Sequence, residues 1–231
     1  MYKHPAPPQV HRTPTARMWL LFLAAVSALS GCTSTGQLWL KTAQAALHGG
    51  SNASEPTNPK YQYLRCIING RTLFLAKGFT DETASGPIET WYSGGGEVIK
   101  LLNGRIVGTA GITPEWRNVR YSNAPSWDVM AAASPGPSSM SYTRTRDVMP
   151  GYLYGIQDEV QVIRLASSTP ENMGSVVVEE RMTSTAQPLP AALYRLQQQD
   201  GHWRVVASKQ CLSERFCLTL EQWAPPPVPT K

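Results

Sequence analysis

The chain predicts an all-β fold, an antiparallel barrel or sandwich-like domain, and three observations carry that prediction. First, Asn69-Gly70, Asn103-Gly104 and Asp200-Gly201 are dipeptides that tolerate positive φ at both centres of a two-residue turn, and each is flanked by apolar-polar alternation. Second, each turn and its flanking alternation select the same inward face. Asn69-Gly70 pairs Cys66 with Leu73 and Leu64 with Leu75; Asn103-Gly104 pairs Leu101 with Ile106 and Ile99 with Gly108; Asp200-Gly201 pairs Leu196 with Val205 and Tyr194 with Ala207. Third, short strands separated by turn residues recur from Lys60 onward, which suits a closed barrel or two packed sheets.

Ahead of that domain, Met18 to Cys32 is an apolar run ending in Leu29-Ser30-Gly31-Cys32, preceded by Lys3, Arg12 and Arg17. The run is short for a bilayer span and has the form of a secretory signal closing in a bacterial lipobox. Residues 1–31 are thus expected to be a lipoprotein signal peptide, and the Cys32 thiol to be acylated as the first mature residue. The seventeen residues before the run are long for such a signal, which suits a later translation start. Thr33, not Asp, follows the cysteine, which by the sorting habits of lipoproteins directs the chain to the outer membrane, facing the periplasm. Residues 32–59 read as a leash holding one short helix, Gln37 to His48, whose Leu40, Ala43 and Leu47 share a face and which stops at Gly49-Gly50. Asn52-Ala53-Ser54 matches a glycosylation sequon, which the bacterial form of the lipobox makes a coincidence.

The β domain is expected over residues 60–223. Beyond the three hairpins, strands are expected near Glu89–Ser93, Trp116–Ser122, Met140–Val148, Tyr152–Leu165, Ser175–Met182 and Phe216–Trp223. Asn123–Ser139, rich in Ala, Ser and Pro, reads as a long loop, and Thr185–Pro190 as a shorter connection. Residues 224–231 form a Pro-rich extended tail.

Charge narrows the partners. Residues 1–31 hold three basic and no acidic residues, so the formal +5 of the whole chain falls to +2 without them. A mature domain so near neutrality argues against nucleic acid, which needs a clustered basic face. Arg117, Arg120, Arg144 and Arg146 recur among aromatics and read as a solvated strand face, with a polyanion site as the alternative. Export places the remaining cysteines in an oxidising compartment. Cys211 and Cys217 are spaced to face each other across a hairpin, a closure contributing about 2 kcal/mol on the chain-entropy model, with Cys66 left as a buried thiol; a bridge from Cys66 to either stays open.

No constellation of catalytic residues stands out. His48 and His202 have no Cys, Asp or Glu at metal-ligand spacing, Gly94-Gly95-Gly96 lacks the Lys-Ser/Thr of a phosphate loop, and no cofactor is implied. The adjacent carboxylates Asp81/Glu82, Asp158/Glu159 and Glu179/Glu180 point to opposite faces of a strand, so no pair forms a glycosidase site by itself. Among the tryptophans, Trp91 and Trp203 read as core fillers that alternatively stack on a sugar face, while Trp127, in the polar loop, is expected to be exposed. Arg105, following a hairpin turn, is expected to be exposed too. Trp91, Arg105, Trp127 and Trp203 are the candidate interaction surface.

The block from Glu89 to Ile112 resembles the YjbF/GfcB family of lipoproteins, found in operons for group 4 capsule and related exopolysaccharides. The resemblance rests on Trp91, Ser93, Asn103-Gly104-Arg105-Ile106-Val107 and Thr109-Ala110-Gly111. The lipobox, the helix at Gln37–His48, the hairpin Tyr61–Ala76 and Trp203–Gln210, with its Ser208-x-Gln210 element, add to it. The segment after Gln210 and the loop Asn123–Ser139 depart from the family pattern. The resemblance implies a barrel-like domain tethered to the outer membrane that serves polysaccharide secretion or assembly, with export proteins of the same operon or the polymer as partners and no enzymatic activity. A polysaccharide-modifying enzyme and a structural envelope lipoprotein are the alternatives.

Overall fold

A computed structural model of the protein describes residues 55–56, 58–166 and 174–225, the side chains of 137–139 excepted. The signal and lipobox, the helix expected at Gln37–His48 and the tail beyond 225 lie outside the described residues. Twelve strands follow one another: β1 Tyr63–Ile68, β2 Arg71–Thr83, β3 Gly86–Ser93, β4 Val98–Leu102, β5 Arg105–Ala110, β6 Glu115–Ser122, β7 Gly136–Met149, β8 Leu153–Leu165, β9 Ser175–Ser184, β10 Ala192–Gln199, β11 His202–Ser213 and β12 Phe216–Trp223. A six-residue helix, α1 (Trp127–Ala132), stands between β6 and β7.

All pairings are antiparallel, in the order β5-β4-β3-β2-β1-β12-β11-β10-β9-β8-β7-β6. The chain therefore winds round an up-and-down barrel that is closed by β1 against β12 and open only between β5 and β6. The barrel alternative of the sequence reading is the observed one. At the seam, side chains stand where a ladder would run. The Trp116 N–H donates to Thr109 Oγ1 (3.0 Å), the Tyr121 hydroxyl to the Ile106 carbonyl (2.9 Å) and the Gly111 N–H to Glu115 Oε1 (3.0 Å). These bonds occupy two edges that would otherwise offer unpaired backbone groups.

The turn chemistry sets the hairpins as expected. Asn69, Gly70, Asn103, Gly104, Asp200 and Gly201 all have positive φ. Cys66 faces Leu73 and Leu64 faces Leu75. Leu101 faces Ile106 and Leu196 faces Val205, but two pairs further from the turns shift by one residue: Ile99 lies opposite Thr109 rather than Gly108, and Tyr194 opposite Ser208 rather than Ala207. Each shift is a β-bulge that places one extra residue, Val107 or Val206, in the returning strand. Turn residues determine register only as far as the first bulge.

The expected loop at Asn123–Ser139 is corrected, because α1 and the start of β7 lie inside it. The Ser126 hydroxyl accepts the Val129 N–H (3.3 Å) as N-cap, and Asp128 sits in the first turn. Trp127, Met130 and Ala131 share the buried face. The helix is short enough for a Ser/Ala/Pro-rich composition to hide it.

Two apolar clusters fill the barrel, one around Leu75, Ile99, Ile106 and Trp116, the other around Met130, Val160, Val178 and Leu196. Cys211 and Cys217 face each other on β11 and β12 and form a disulfide, and Cys66 is free and buried. Burial, reinforced by the nearby Glu97 carboxylate, pushes the Cys66 thiol up to about 12. At pH 8 only about one thiol in ten thousand is then ionised, so Cys66 is expected to be inert to a thiol reagent in the folded protein and to react on unfolding. Labelling of one thiol per native chain within minutes would contradict this burial.

Candidate functional site

The hairpin turns at 84–85, 103–104 and 200–201, the segment 123–126 and α1 gather at one end of the barrel, the end where β1 begins and β12 stops. A cavity of about 660 Å³ opens there. The tip of the β4–β5 hairpin crosses to β11. Gly104 has φ +82° and approaches Val205 so closely that a Cβ at Gly104 would lie 2.6 Å from the Val205 Cβ, which only glycine permits. Gln210 clamps this tip. Its Nε2 donates to the Gly104 carbonyl (2.8 Å) and to Ser208 Oγ (2.9 Å), and its Oε1 accepts the Ile106 N–H (2.9 Å) and the Tyr194 hydroxyl (3.2 Å). The Asn103–Val107 block and the Ser208-x-Gln210 element, separate in sequence, are thus one structural unit.

Trp91, Arg105, Trp127 and Trp203 all line the cavity. Two of the expected exposures are corrected. Arg105 is only 5% exposed and Trp127 only 6%. The Arg105 side chain turns into the barrel, where its Nε and Nη2 both donate to Glu180 Oε1 at 3.0 Å. Four rings surround its guanidinium: Trp127 at 3.9 Å from the centroid, Tyr142 at 5.6 Å, Tyr121 at 5.8 Å and Tyr194 at 6.0 Å. Trp127 is held in that stack by its indole N–H, which donates to the Asn103 carbonyl (2.7 Å). Burial, the largest influence, opposes the charge on Arg105, but Glu180 together with Tyr142, Tyr194 and Tyr121 outweighs it and the guanidinium is held protonated more firmly than usual. Burial, with Glu180 adding to it, drives Tyr142 and Tyr194 well above the ordinary phenol range, so both hydroxyls stay protonated. Trp91 is buried as expected, and Trp203 is half-buried.

Deeper in the barrel lies a second charged group. Asp158 accepts from Arg144 (Nε 2.8 Å, Nη2 2.6 Å) and from Arg146 (Nε 2.8 Å, Nη2 3.2 Å). Both guanidiniums stack on Trp116, at 4.5 and 4.8 Å. The solvated-face reading of Arg144 and Arg146 is therefore corrected, while Arg117 and Arg120 are exposed. Each interior carboxylate belongs to an adjacent acidic pair, Asp158/Glu159 or Glu179/Glu180, and only one member of each pair is buried, as strand alternation requires.

At the cavity mouth Asp128 joins α1 to β11. Its Oδ1 accepts the Trp203 N–H (2.8 Å) and its Oδ2 lies 3.2 Å from His202 Nδ1. The Trp203 N–H first, and His202 second, hold the Asp128 carboxyl below its usual range. Sequence reasoning missed Asp128 and Glu180 as partners. They lie 74 and 75 positions from His202 and Arg105, and no local pattern links such positions.

No family model matches the chain, and no curated protein sequence matches it. Among solved structures, the chain resembles the crystal structure of the hypothetical lipoprotein YmcC from Escherichia coli (K12), with a TM-score of 0.58 and 17% identity over 81% of this chain and 97% of that one. The likeness spans nearly all of that protein and places this chain in the same barrel fold.

Proposed function

We propose that the protein is a lipid-anchored, non-catalytic accessory lipoprotein of capsule or exopolysaccharide secretion or assembly, held at the bacterial outer membrane through acylated Cys32 and facing the periplasm. The observation that carries this reading is the Gln210 clamp: the two segments most similar to the YjbF/GfcB family build one unit at the mouth of one cavity. The lipobox at Leu29–Cys32 and the fold shared with a protein described as a lipoprotein support the anchor. The two carboxylates buried among the described residues, Asp158 and Glu180, are tied to guanidiniums, which supports a binding role over acid–base work. Deleting the gene is expected to change the amount or chain length of secreted polymer; unchanged polymer overturns the reading.

The anchor has its own test. Cys32→Ser is expected to move the protein from the membrane to the soluble periplasmic fraction, because acyl chains supply the membrane affinity. A variant that still sediments with membranes would refute anchoring at Cys32.

A further inference from the structure

We propose that the cavity at the barrel mouth binds an acidic sugar segment, pyranose units carrying carboxylates, a proposal that rests on the polysaccharide reading above. The cavity's volume falls within the range of small-molecule sites. The argument turns on which of its polar groups are already engaged. Its two carboxylates are: Asp128 accepts from the Trp203 N–H and faces His202, and Glu89 is bound by Lys77 at 2.6 Å. Its donors are not. The Trp91 indole N–H is buried without a hydrogen-bond partner among the described residues. Arg204 lines the same cavity and has no acidic partner among the described residues.

A buried donor left unmade costs about 1–3 kcal/mol, which a ligand acceptor recovers once the cavity wall shifts to admit it to the sealed Trp91 N–H. Among the described residues, the barrel interior behind the cavity also carries three guanidiniums (Arg105, Arg144, Arg146) against two carboxylates (Glu180, Asp158). That leaves one positive charge in excess in a low-dielectric interior, and it favours an anion in front of it. A half-buried indole, Trp203, lines the same cavity, and its ring face suits the C–H face of a pyranose. Acceptors, negative charge and a flat apolar face are together the chemistry of a uronic acid residue.

The test uses the purified full chain in detergent, titrated with oligogalacturonate and, separately, with neutral malto-oligosaccharide of the same length, at two salt concentrations. Oligogalacturonate is expected to bind at least tenfold more tightly and to weaken with salt. Arg204→Gln, at an exposed position, is expected to lose about tenfold of that affinity with an unchanged melting temperature, and Trp91→Phe to weaken binding while keeping the ring. Equal binding of both oligosaccharides, no binding of either, or an Arg204→Gln variant that binds as the parent does would overturn the proposal. Secretion that fails on gene deletion while the purified protein binds neither sugar would sink the site and leave the export reading standing. Tight binding with normal secretion in the deletion strain would do the reverse.

Discussion

Replacing Asp158 with asparagine is expected to destabilise the barrel by about 3–5 kcal/mol, because removing one partner of a buried ion pair strands the other. Here two partners are stranded. Arg144 and Arg146 lie on the same indole, Trp116, and both find their counter-charge in this one carboxylate. Asparagine keeps the shape but offers one oxygen and no charge, so the two guanidiniums would repel each other across a site with almost no access to water. For a domain of this size the loss corresponds to roughly 10 °C or more in melting temperature. Burial alone would raise the Asp158 carboxyl, but the Arg146 and Arg144 guanidiniums outweigh it and hold the group below the ordinary range. A depressed carboxyl contributes stability that is present above its unfolded value, about 3.9, and lost as pH falls through the lower folded value. The gap between parent and Asp158→Asn is therefore expected to be constant from pH 7 to about 5 and to shrink below about 4. Urea unfolding at several pH values measures it. A difference under about 1 kcal/mol at pH 7 would show that the two arginines do not depend on Asp158.

The hairpins were legible in the sequence because both determinants, positive-φ turn residues and period-two apolar residues, are local. Asn69-Gly70 and its flanks needed nothing beyond a few neighbours. Register became illegible at Val107 and Val206, where bulges answer to the curvature of the closed barrel. Arg105 shows the harder failure. A charged residue after a tight turn is ordinarily solvated, and burial is tolerable here only because Glu180 and four rings wait 16 to 89 positions away in the chain. Trp127 departs from expectation for a related reason, since the helix carrying it owes its place to packing on β8, β9 and β11 rather than to propensity. The four residues singled out as an interaction surface do converge, but as the walls of a cavity.

Arg105 and Glu180 make the strongest case for reading buried charges as a pair. Glu180→Leu alone is expected to cost about 3–5 kcal/mol, since it leaves a guanidinium in an aromatic enclosure without its counter-charge, and Arg105→Met alone a similar amount, since it leaves a buried carboxylate. Arg105→Met with Glu180→Leu removes both charges and keeps the volume apolar, so it is expected to lie within about 2 kcal/mol of the parent, far above the sum of the single losses. Arg105→Lys discriminates further. A lysine ammonium cannot stack on Trp127 while donating twice to Glu180, so it should recover only part of the loss despite carrying the same charge. Denaturant unfolding of the four variants closes the cycle, and strict additivity of the single losses would show that the two charges do not act on each other. Because Arg105 also lines the cavity, a stable double variant separates folding from recognition. If the excess interior charge draws an anion to the mouth, removing this neutral pair leaves that excess with Arg144 and Arg146 and should weaken acidic-sugar binding far less than Arg204→Gln.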